Sequence, residues 1–304
     1  MMRIVSLLPT GTEMLAAVGA ADRIVGRSEH CVFPEPVTAR PVVVRSLTAR
    51  QVPKNDSRAI HEAVRKLRLE NRHQFQIDVE ALKELRPDLI VAQKICSVCA
   101  ASHAEVEEAV AALPNRPEVV YLNAGTFAEI FSEMRGLGAR VGLKQQADRV
   151  VLALEERKAR VEEKTAGIER SRVWCCEWME PLMAAGHWIP EMIAAAGGTD
   201  GLAQPGASSR WLNWSDVIAY DPEVVITMPC SYTIEQTLAE KELLTKRPGW
   251  EKLTAVKNSR VFAADTELLH HAGPRLLEGL ELFAHLIHPE LFPKPAGKPF
   301  RPFA

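Results

Sequence analysis

A long charged segment near the middle of the 304-residue chain constrains its fold more than any other feature. The segment from Lys144 to Ile168 contains no proline, and its first glycine is Gly167. Most of its residues are Glu, Lys, Arg, Gln or Ala, which are good helix formers. Its apolar stripe has the spacing of one helical face and consists of Ala147, Val150, Val151, Leu154 and Val161. The pattern predicts one rigid helix of about 37 Å.

The chain has the same alternation of short apolar strands and helices on both sides of this segment. Residues 82–96 and residues 217–230 each run from a helix end through a proline and a β-branched strand to a cysteine. Such alternation is typical of α/β lobes with parallel sheets, whereas the proline-rich tail from His288 is expected to be irregular. We therefore predict two Rossmann-like α/β lobes, residues 1–141 and 169–304, joined by a linking helix at residues 142–168.

The composition excludes several classes of partner. A net charge of -2 and a pI near 6.5 give no electrostatic reason to expect nucleic acid or an anionic membrane. No run of 18 apolar residues occurs, so membrane insertion is not predicted. The apolar run that follows Arg3 is too short for a secretory signal, which predicts a cytoplasmic protein, or a periplasmic one if the native start lies elsewhere.

The tryptophans indicate where a ligand would bind. Ligands of open α/β sheets lie beyond the carboxyl ends of the strands. Five of the six tryptophans fall between residues 174 and 214 of the second predicted lobe. Trp174 lies within a predicted strand and is expected in the core. Trp178, Trp188 and Trp211 lie in loops, where they are candidate contacts for a flat, partly apolar ligand, with core packing as the alternative.

Cysteines and histidines at the same strand ends support a second hypothesis. Cys96 and Cys99 form a CxxC pair, which is compatible with a redox pair, half of a zinc site or a loop staple. A zinc or iron–sulfur site would need further soft ligands. The candidates predicted near the same cleft are Cys31 and Cys230, with His30, His187 and His270 or His271. Neighbouring His270 and His271 point in different directions, so at most one is expected to enter the cleft, and the other is expected to lie on the surface.

No motif indicates catalysis. The chain lacks GxSxG, GxxxxGK[ST], GxGxxG and HExxH, and the carboxylate pair Glu177 and Glu180 has no defined spacing to a base or a metal. An enzyme is therefore not predicted.

Several motifs together resemble one known family, the class III substrate-binding proteins of ABC importers, and within it the cobalamin-binding branch related to the periplasmic vitamin B12-binding protein. The resemblance covers nearly the whole chain. It is carried by SLLPTGTE (6–13), IVGRSEHCVFP (24–34), LRPDLIVAQ (85–93) with CSVCA (96–100), AAGHWIPEMIAAAGG (184–198), DPEVVITMPC (221–230), RPGW (247–250) and GPRLLEGLELFA (273–284).

The resemblance implies a corrinoid, or failing that a haem or ferric siderophore, bound between two lobes. The implied contacts are Pro9, Thr10 and His30 from the first lobe and Trp178, His187, Trp188, Glu267 and His271 from the second. His271 stands where the B12-binding protein has an arginine, which raises the possibility that an imidazole coordinates cobalt.

The resemblance also implies an ABC permease as partner, which such proteins contact through one acidic residue on each lobe. Glu80 matches the first of these positions, but the second falls on Ser215, with Asp216 next to it. This departure and the missing signal peptide favour a cytoplasmic relative of the importer proteins as the alternative.

Overall fold

The structure, a computed structural model, describes residues 1–47, 52, 55–70, 72–95 and 100–303. Contacts between residues divide the chain into two compact units. The first unit comprises Met1–Pro53, Glu62–Ala124 and Ala128–Ala153, and the second comprises Lys54–His61, Gly125–Phe127 and Leu154–Ala304.

The first unit is built on a six-stranded sheet in the order β4-β3-β2-β1-β5-β6, in which only the β3–β4 pair is antiparallel. Its strands are β1 (Ile4–Ser6), β2 (Ile24–Ser28), β3 (Val42–Ser46), β4 (Phe75–Ile77), β5 (Leu89–Gln93) and β6 (Glu118–Leu122). The helices from this part of the chain are α1 (Pro9–Ala17), α2 (Glu35–Thr38), α3 (Ser57–Leu69), α4 (Val79–Leu85), α5 (His103–Ala111), α6 (Phe127–Arg140) and α7 (Lys144–Lys164).

The central strands of this sheet are buried on both faces, which explains why their sequences are continuous runs of apolar residues. Ile4 and Val5 of β1 and Ile90 of β5 are 0% exposed. Because β1 is followed after two residues by α1, which begins at Pro9, the chain turns into a helix at the carboxyl end of the sheet. Leu8 is the N-cap of α1 and makes no side-chain cap, because its side chain has no hydrogen-bond acceptor. Proline at the first helical position fixes the entry geometry.

The second unit has a mixed sheet in the order β10-β8-β7-β11-β12-β13, with β9 paired to β7. Its strands are β7 (Ser171–Met179), β8 (Leu182–Ala184), β9 (Gly198–Thr199), β10 (Arg210–Trp211), β11 (Val224–Thr227), β12 (Val261–Ala264) and β13 (Phe300–Pro302). Its further helices are α8 (Ile189–Ala195), α9 (Trp214–Tyr220), α10 (Ile234–Ala239), α11 (Glu242–Thr245), α12 (Thr254–Lys257) and α13 (Leu276–Ile287).

The centre of this second sheet is parallel, and its edges are not. The strands β7, β11 and β12 are parallel neighbours. In contrast, β8 and β10 on one side and β13 on the other are antiparallel. The prediction of an irregular tail from His288 is wrong at β13, where Arg301 pairs with Ala263. Pro302 is tolerated there because it lies on an edge strand.

Helix α7 runs from Lys144 to Lys164 without a break, and it contributes residues to both units. Of its apolar stripe, Ala147, Val151, Leu154 and Val161 are buried. The helix ends a few residues before Ile168, at a point where the Thr165 hydroxyl lies 2.9 Å from the Ala195 carbonyl oxygen. Among the described residues, none of the helices has the length and apolar character needed to cross a membrane.

Candidate functional site

The carboxyl ends of β7, β11 and β12 bring several reactive side chains to one edge of the second unit's sheet. Glu177 and Trp178 lie at the end of β7, Cys230 follows β11, and two histidines follow β12. The loop after β8 adds His187. We call this set the strand-end surface: Glu177, Trp178, His187, Cys230, His270 and His271. It lies where ligands of open α/β sheets bind.

The indole of Trp178 is half-buried and anchored through its nitrogen. It donates to the carbonyl oxygens of Ser57 at 3.2 Å and Glu180 at 3.1 Å. Its ring meets that of Tyr232 edge to face, with 5.5 Å between the centroids. These contacts fix the orientation of the ring and use its one donor, so the faces of the indole are what it offers to a ligand.

His187 occupies a backbone conformation that costs a non-glycine residue free energy. Its φ is 55°, in the left-handed region. Its N–H donates to the Ala207 carbonyl at 2.6 Å, and its own carbonyl accepts from Gly206 at 2.8 Å. Burial lowers the pKa of its imidazole, and His270 adds to the lowering. The loop therefore holds a mainly neutral imidazole, which has a free nitrogen lone pair for a ligand.

The other two candidate tryptophans differ in exposure. Trp188 is 8% exposed, and its indole donates to the Leu269 carbonyl at 2.8 Å. Trp211, on the edge strand β10, is 53% exposed, and its ring meets His61 edge to face at 5.2 Å. Trp211 therefore offers a ring face to solvent, whereas Trp188 supports the turn that carries the histidines.

Glu177 and His270 are two enclosed titratable residues of the strand-end surface. The Ser209 hydroxyl donates to Glu177 Oε2 at 2.5 Å. Burial raises the pKa of Glu177, an effect that His270 and Ser209 oppose. Burial lowers the pKa of His270, but Cys230, Glu177 and Glu267 outweigh it, and the pKa lies above its usual value.

His271 and Glu267 form a second pair beside this centre. Nδ1 of His271 lies 3.8 Å from Oε2 of Glu267, and the imidazole is 15% exposed. Both ring nitrogens of His270 are also shielded from solvent. His270 is therefore enclosed, whereas His271 is partly exposed. That at most one of the two enters the cleft and the other lies on the surface stays a prediction.

The first-unit candidates lie after β1 and β2. Thr10 is 8% exposed in the first turn of α1, behind the partly exposed Pro9. His30 follows β2, is partly exposed, and meets Phe75 edge to face at 6.4 Å. Cys31 next to it is 0% exposed and accepts a 3.1 Å hydrogen bond from Thr12, and burial raises the pKa of its thiol to about 11.

The zinc or iron–sulfur hypothesis has no assembled ligand set in the part of the chain that the structure describes. There, no group of three or more His, Cys, Asp or Glu side chains could hold a metal ion. Cys96 and Cys99 lie outside the described residues. Since Cys31 is enclosed and hydrogen-bonded, it behaves as a core residue.

The start of α3 belongs to the second unit, which sequence reasoning missed. The N–H of Ser57 donates to Glu240 Oε1 at 2.8 Å, and the Ser57 carbonyl accepts from Trp178. His61, one helical turn further on, contacts Trp211. These bonds place a segment distant in sequence against two candidate ligand contacts.

A sequence profile described as "Periplasmic binding protein" matches residues 4–268 of the chain. The chain belongs to this family. Its members are the substrate-binding proteins of ABC importers and not enzymes.

Two relatives are similar to this chain over most of their length. An uncharacterized ABC transporter substrate-binding lipoprotein, YvrC, of Bacillus subtilis strain 168 is 24% identical over 300 residues, covering 95% of this chain and 81% of the relative. The vitamin B12-binding protein of Vibrio cholerae serotype O1 is 23% identical over 283 residues, covering 92% of this chain and 86% of the relative.

Solved structures of periplasmic binding proteins share the fold. The vitamin B12-binding protein BtuF of Vibrio cholerae has a TM-score of 0.66 at 19% identity, covering 94% of this chain and 96% of that one. A haem-binding protein of Pseudomonas aeruginosa has a TM-score of 0.73 at 19% identity, covering 99% and 97%. The fold is therefore the class III periplasmic binding protein fold with two α/β lobes, as predicted.

Sequence reasoning located the strand-end surface but not its internal partners. Adjacent parallel strands predict that the residues after β11 and β12 lie side by side. No local signal predicts that Ser209, in the chain before β10, binds Glu177. The enclosure of His270 also depends on the turn geometry after β12, which the sequence pattern does not define.

Proposed function

We propose that this periplasmic binding protein binds a corrinoid of the cobalamin type at the strand-end surface. The observation that carries the proposal is the grouping of partly exposed ring faces, Trp178 and Trp211, with imidazoles and a thiol at the carboxyl ends of the sheet. Rings provide contact area for a flat macrocycle at low entropic cost. Imidazole and sulfur are donors that suit its metal.

The relatives support the same ligand class. The Vibrio cholerae protein that shares 23% identity over most of this chain is named for vitamin B12, and the haem-binding neighbours also take a flat metal chelate. The proposed contacts in the second unit are Trp178, His187, Trp188, Trp211, Glu267 and His271. Pro9, Thr10 and His30 of the first unit are proposed on the resemblance of their motifs.

The proposal is tested by titrating the purified protein with cyanocobalamin while following tryptophan fluorescence and the visible spectrum. We expect saturable quenching with a Kd of about 1 μM or tighter, equivalent to roughly 8 kcal/mol. Trp211→Ala, which removes an exposed ring, should weaken binding about tenfold, a loss of about 1.4 kcal/mol. Absence of any saturable change at 100 μM ligand, on the order of a 5 kcal/mol interaction, would exclude this function.

Haem is the second candidate, favoured by the same imidazole and thiol donors and by the likeness to haem-binding structures. A ferric siderophore is a further alternative, but it gains less from the ring faces. Parallel titrations with haemin and with cyanocobalamin distinguish the two macrocycles, because the chain should prefer one of them by at least tenfold, about 1.4 kcal/mol.

A permease partner follows from the family, and its contact points are part of the proposal. The side chain of Glu80 is 79% exposed and forms a 2.8 Å ion pair with Lys83. Ser215 is exposed, whereas Asp216 accepts a 3.0 Å hydrogen bond from the Asn213 N–H in the cap of α9. Glu80 is therefore the better docking residue. A cytoplasmic location stays a prediction, which cell fractionation against a periplasmic marker checks.

A further inference from the structure

A cavity of about 440 Å³ lies in the second unit, lined by the second half of α7, by α13 and by the tail before β13. We call it the tail cavity; its lining comes from residues 157–164, 278–281 and 292–299 and from Leu268. Its volume is that of a small-molecule site. We propose that it binds a small amphipathic anion, a molecule with an apolar body and a carboxylate or sulfonate group. None of the proposed corrinoid contacts lines this cavity, so the proposal is independent of the corrinoid function.

The floor of the tail cavity is apolar. Val161 of α7, Leu268 and the tail residues Phe292 and Pro299 are buried and line it. Further prolines of the tail add apolar lining. A hydrated ion gains nothing from such a surface, whereas an apolar body loses its contact with water when it enters the cavity. The floor therefore selects a ligand that has an apolar part.

One wall of the cavity carries cations on a single face of α7. Arg157, Arg160 and Lys164 are three and four residues apart, which makes them neighbours on a helix. Arg157 is already paired, since its Nε and Nη2 donate to the two carboxylate oxygens of Glu281 at 3.1 and 2.9 Å. Such a bidentate pair satisfies both charged groups. The charge left on this wall therefore comes from Arg160 and Lys164.

The two lysines of the lining have aromatic rings as neighbours. Nζ of Lys164 lies 5.4 Å from the centre of the Phe292 ring, and Nζ of Lys294 lies 5.3 Å from the centre of the Phe300 ring. A cation–π contact holds an ammonium group in place without neutralising its charge, and the N–H donors of the group can still reach an anion. Both lysines are therefore positioned and still able to bind an anionic group.

The charge of the lining favours an anion as the ligand. Apart from the ion pair described above, the lining contains three cations, Arg160, Lys164 and Lys294, and one acid, Glu278. None of these three cations has a carboxylate partner among the described residues. Because Glu278 lies on α13, we expect the anionic group beside the cations of α7 and the apolar body against the floor.

The probe is anilinonaphthalene sulfonate, which combines an aromatic body with one sulfonate and fluoresces when it leaves water. Titrated with the whole chain, it should show a saturable rise in fluorescence with a Kd below about 100 μM. Arg160→Gln should weaken binding at least about threefold, and Glu278→Gln, which removes a like charge, should strengthen it about twofold. Both side chains are exposed, so both variants are expected to fold, which circular dichroism checks.

Arg149→Gln is the matched control, since it removes the same charge from the same helix at an exposed position outside the tail cavity. Its Kd for the probe should stay within about 1.5-fold of the wild-type value, because a distant surface charge is screened. If Arg160→Gln changes the Kd no more than Arg149→Gln does, the probe binds elsewhere and the proposal is overturned. The absence of a saturable rise with about 1 mM probe also overturns it.

Competition for the probe separates the effect of the charge from that of the apolar body. Octanoate and octanamide have the same chain, but only octanoate is charged. Octanoate should displace the probe at a concentration at least about fivefold lower than octanamide does. Equal displacement would show that the cavity does not select an anion. Because neither these ligands nor these variants involve the strand-end surface, failure here leaves the corrinoid proposal intact.

Discussion

The indole nitrogen of Trp188 donates a 2.8 Å hydrogen bond to the carbonyl oxygen of Leu269. This bond joins the start of α8 to the turn that carries His270 and His271. Trp188 is 8% exposed and Leu269 is 0% exposed, so water cannot replace either partner. The bond therefore supports the position of both histidines, and its loss should affect stability as well as the site.

Trp188→Phe tests this bond, because it keeps an aromatic ring and removes the donor. We expect the free energy of unfolding to fall by about 1–2 kcal/mol, the cost of leaving a buried carbonyl unpaired. Trp211→Phe is the control: with 53% of the residue exposed, it should change stability by less than about 0.5 kcal/mol. Equal effects of the two substitutions in urea denaturation would show that the bond is not what stabilises the turn.

The left-handed backbone of His187 predicts that glycine there stabilises the fold and weakens binding. Relief of the strained φ should raise the free energy of unfolding by about 0.5–1 kcal/mol, after the greater entropy of glycine in the unfolded chain is counted. The imidazole is lost, so the affinity for cyanocobalamin should fall. His187→Asn is the control, since asparagine tolerates this conformation. If His187→Gly is less stable than wild type, packing of the imidazole outweighs the backbone strain and the prediction is wrong.

The close approach of the chain at Gly186 predicts a large loss of stability in Gly186→Ala. An added Cβ would lie 2.5 Å from the Ala207 carbonyl oxygen and from backbone atoms of Ser208 and Ser209. We expect the free energy of unfolding to fall by about 2–3 kcal/mol, since backbone must shift. In Gly136→Ala, within α6, the added carbon meets nothing within 4 Å, so that control should gain about 0.5–1 kcal/mol. Thermal or urea unfolding of both variants checks the opposite signs.

Local patterns predicted the parts of the fold that depend on one segment. The apolar stripe that includes Val151 and Leu154 indicates α7 because helical spacing is visible in sequence. Buried strands such as β5 and β11 are visible as β-branched runs. The rule that ligands bind beyond strand ends then placed Trp178 and Cys230 at the same edge without knowledge of any contact.

Features that depend on distant partners could not be predicted in this way. The pairing of Phe300 with Ala264 creates β13 from a proline-rich tail, and no hydrophobic periodicity in the tail predicts this strand. The start of α3 belongs to the second unit and is held there by the hydrogen bond between Ser57 and Glu240, which are far apart in the chain. The burial of Trp188 likewise depends on one long-range acceptor, the Leu269 carbonyl, which no sequence pattern indicates.

Asp200 gives the second unit a stability that depends on pH. Its Oδ1 accepts from the N–H groups of Leu202 at 2.8 Å and Ala203 at 3.1 Å. Burial raises the pKa of Asp200 from 3.8 to about 6, although these bonds and Arg210 oppose the rise. Because the pKa is higher in the folded state, the stabilising contribution is fully present below about pH 4 and is lost as the pH rises through about 6.

Asp200→Asn removes this pH dependence of stability, because the amide side chain is uncharged at every pH. The free energy of unfolding of the variant minus that of wild type should be about 2 kcal/mol larger at pH 7 than at pH 4.

Asp221→Asn should show the opposite sign. Hydrogen bonds from the Thr254 N–H and hydroxyl lower the pKa of Asp221, so its charged form stabilises the fold above the unfolded pKa and loses that effect in acid. Urea unfolding of the three proteins at both pH values checks the two signs, and parallel curves for Asp200→Asn and wild type would rule out the buried carboxyl as the source.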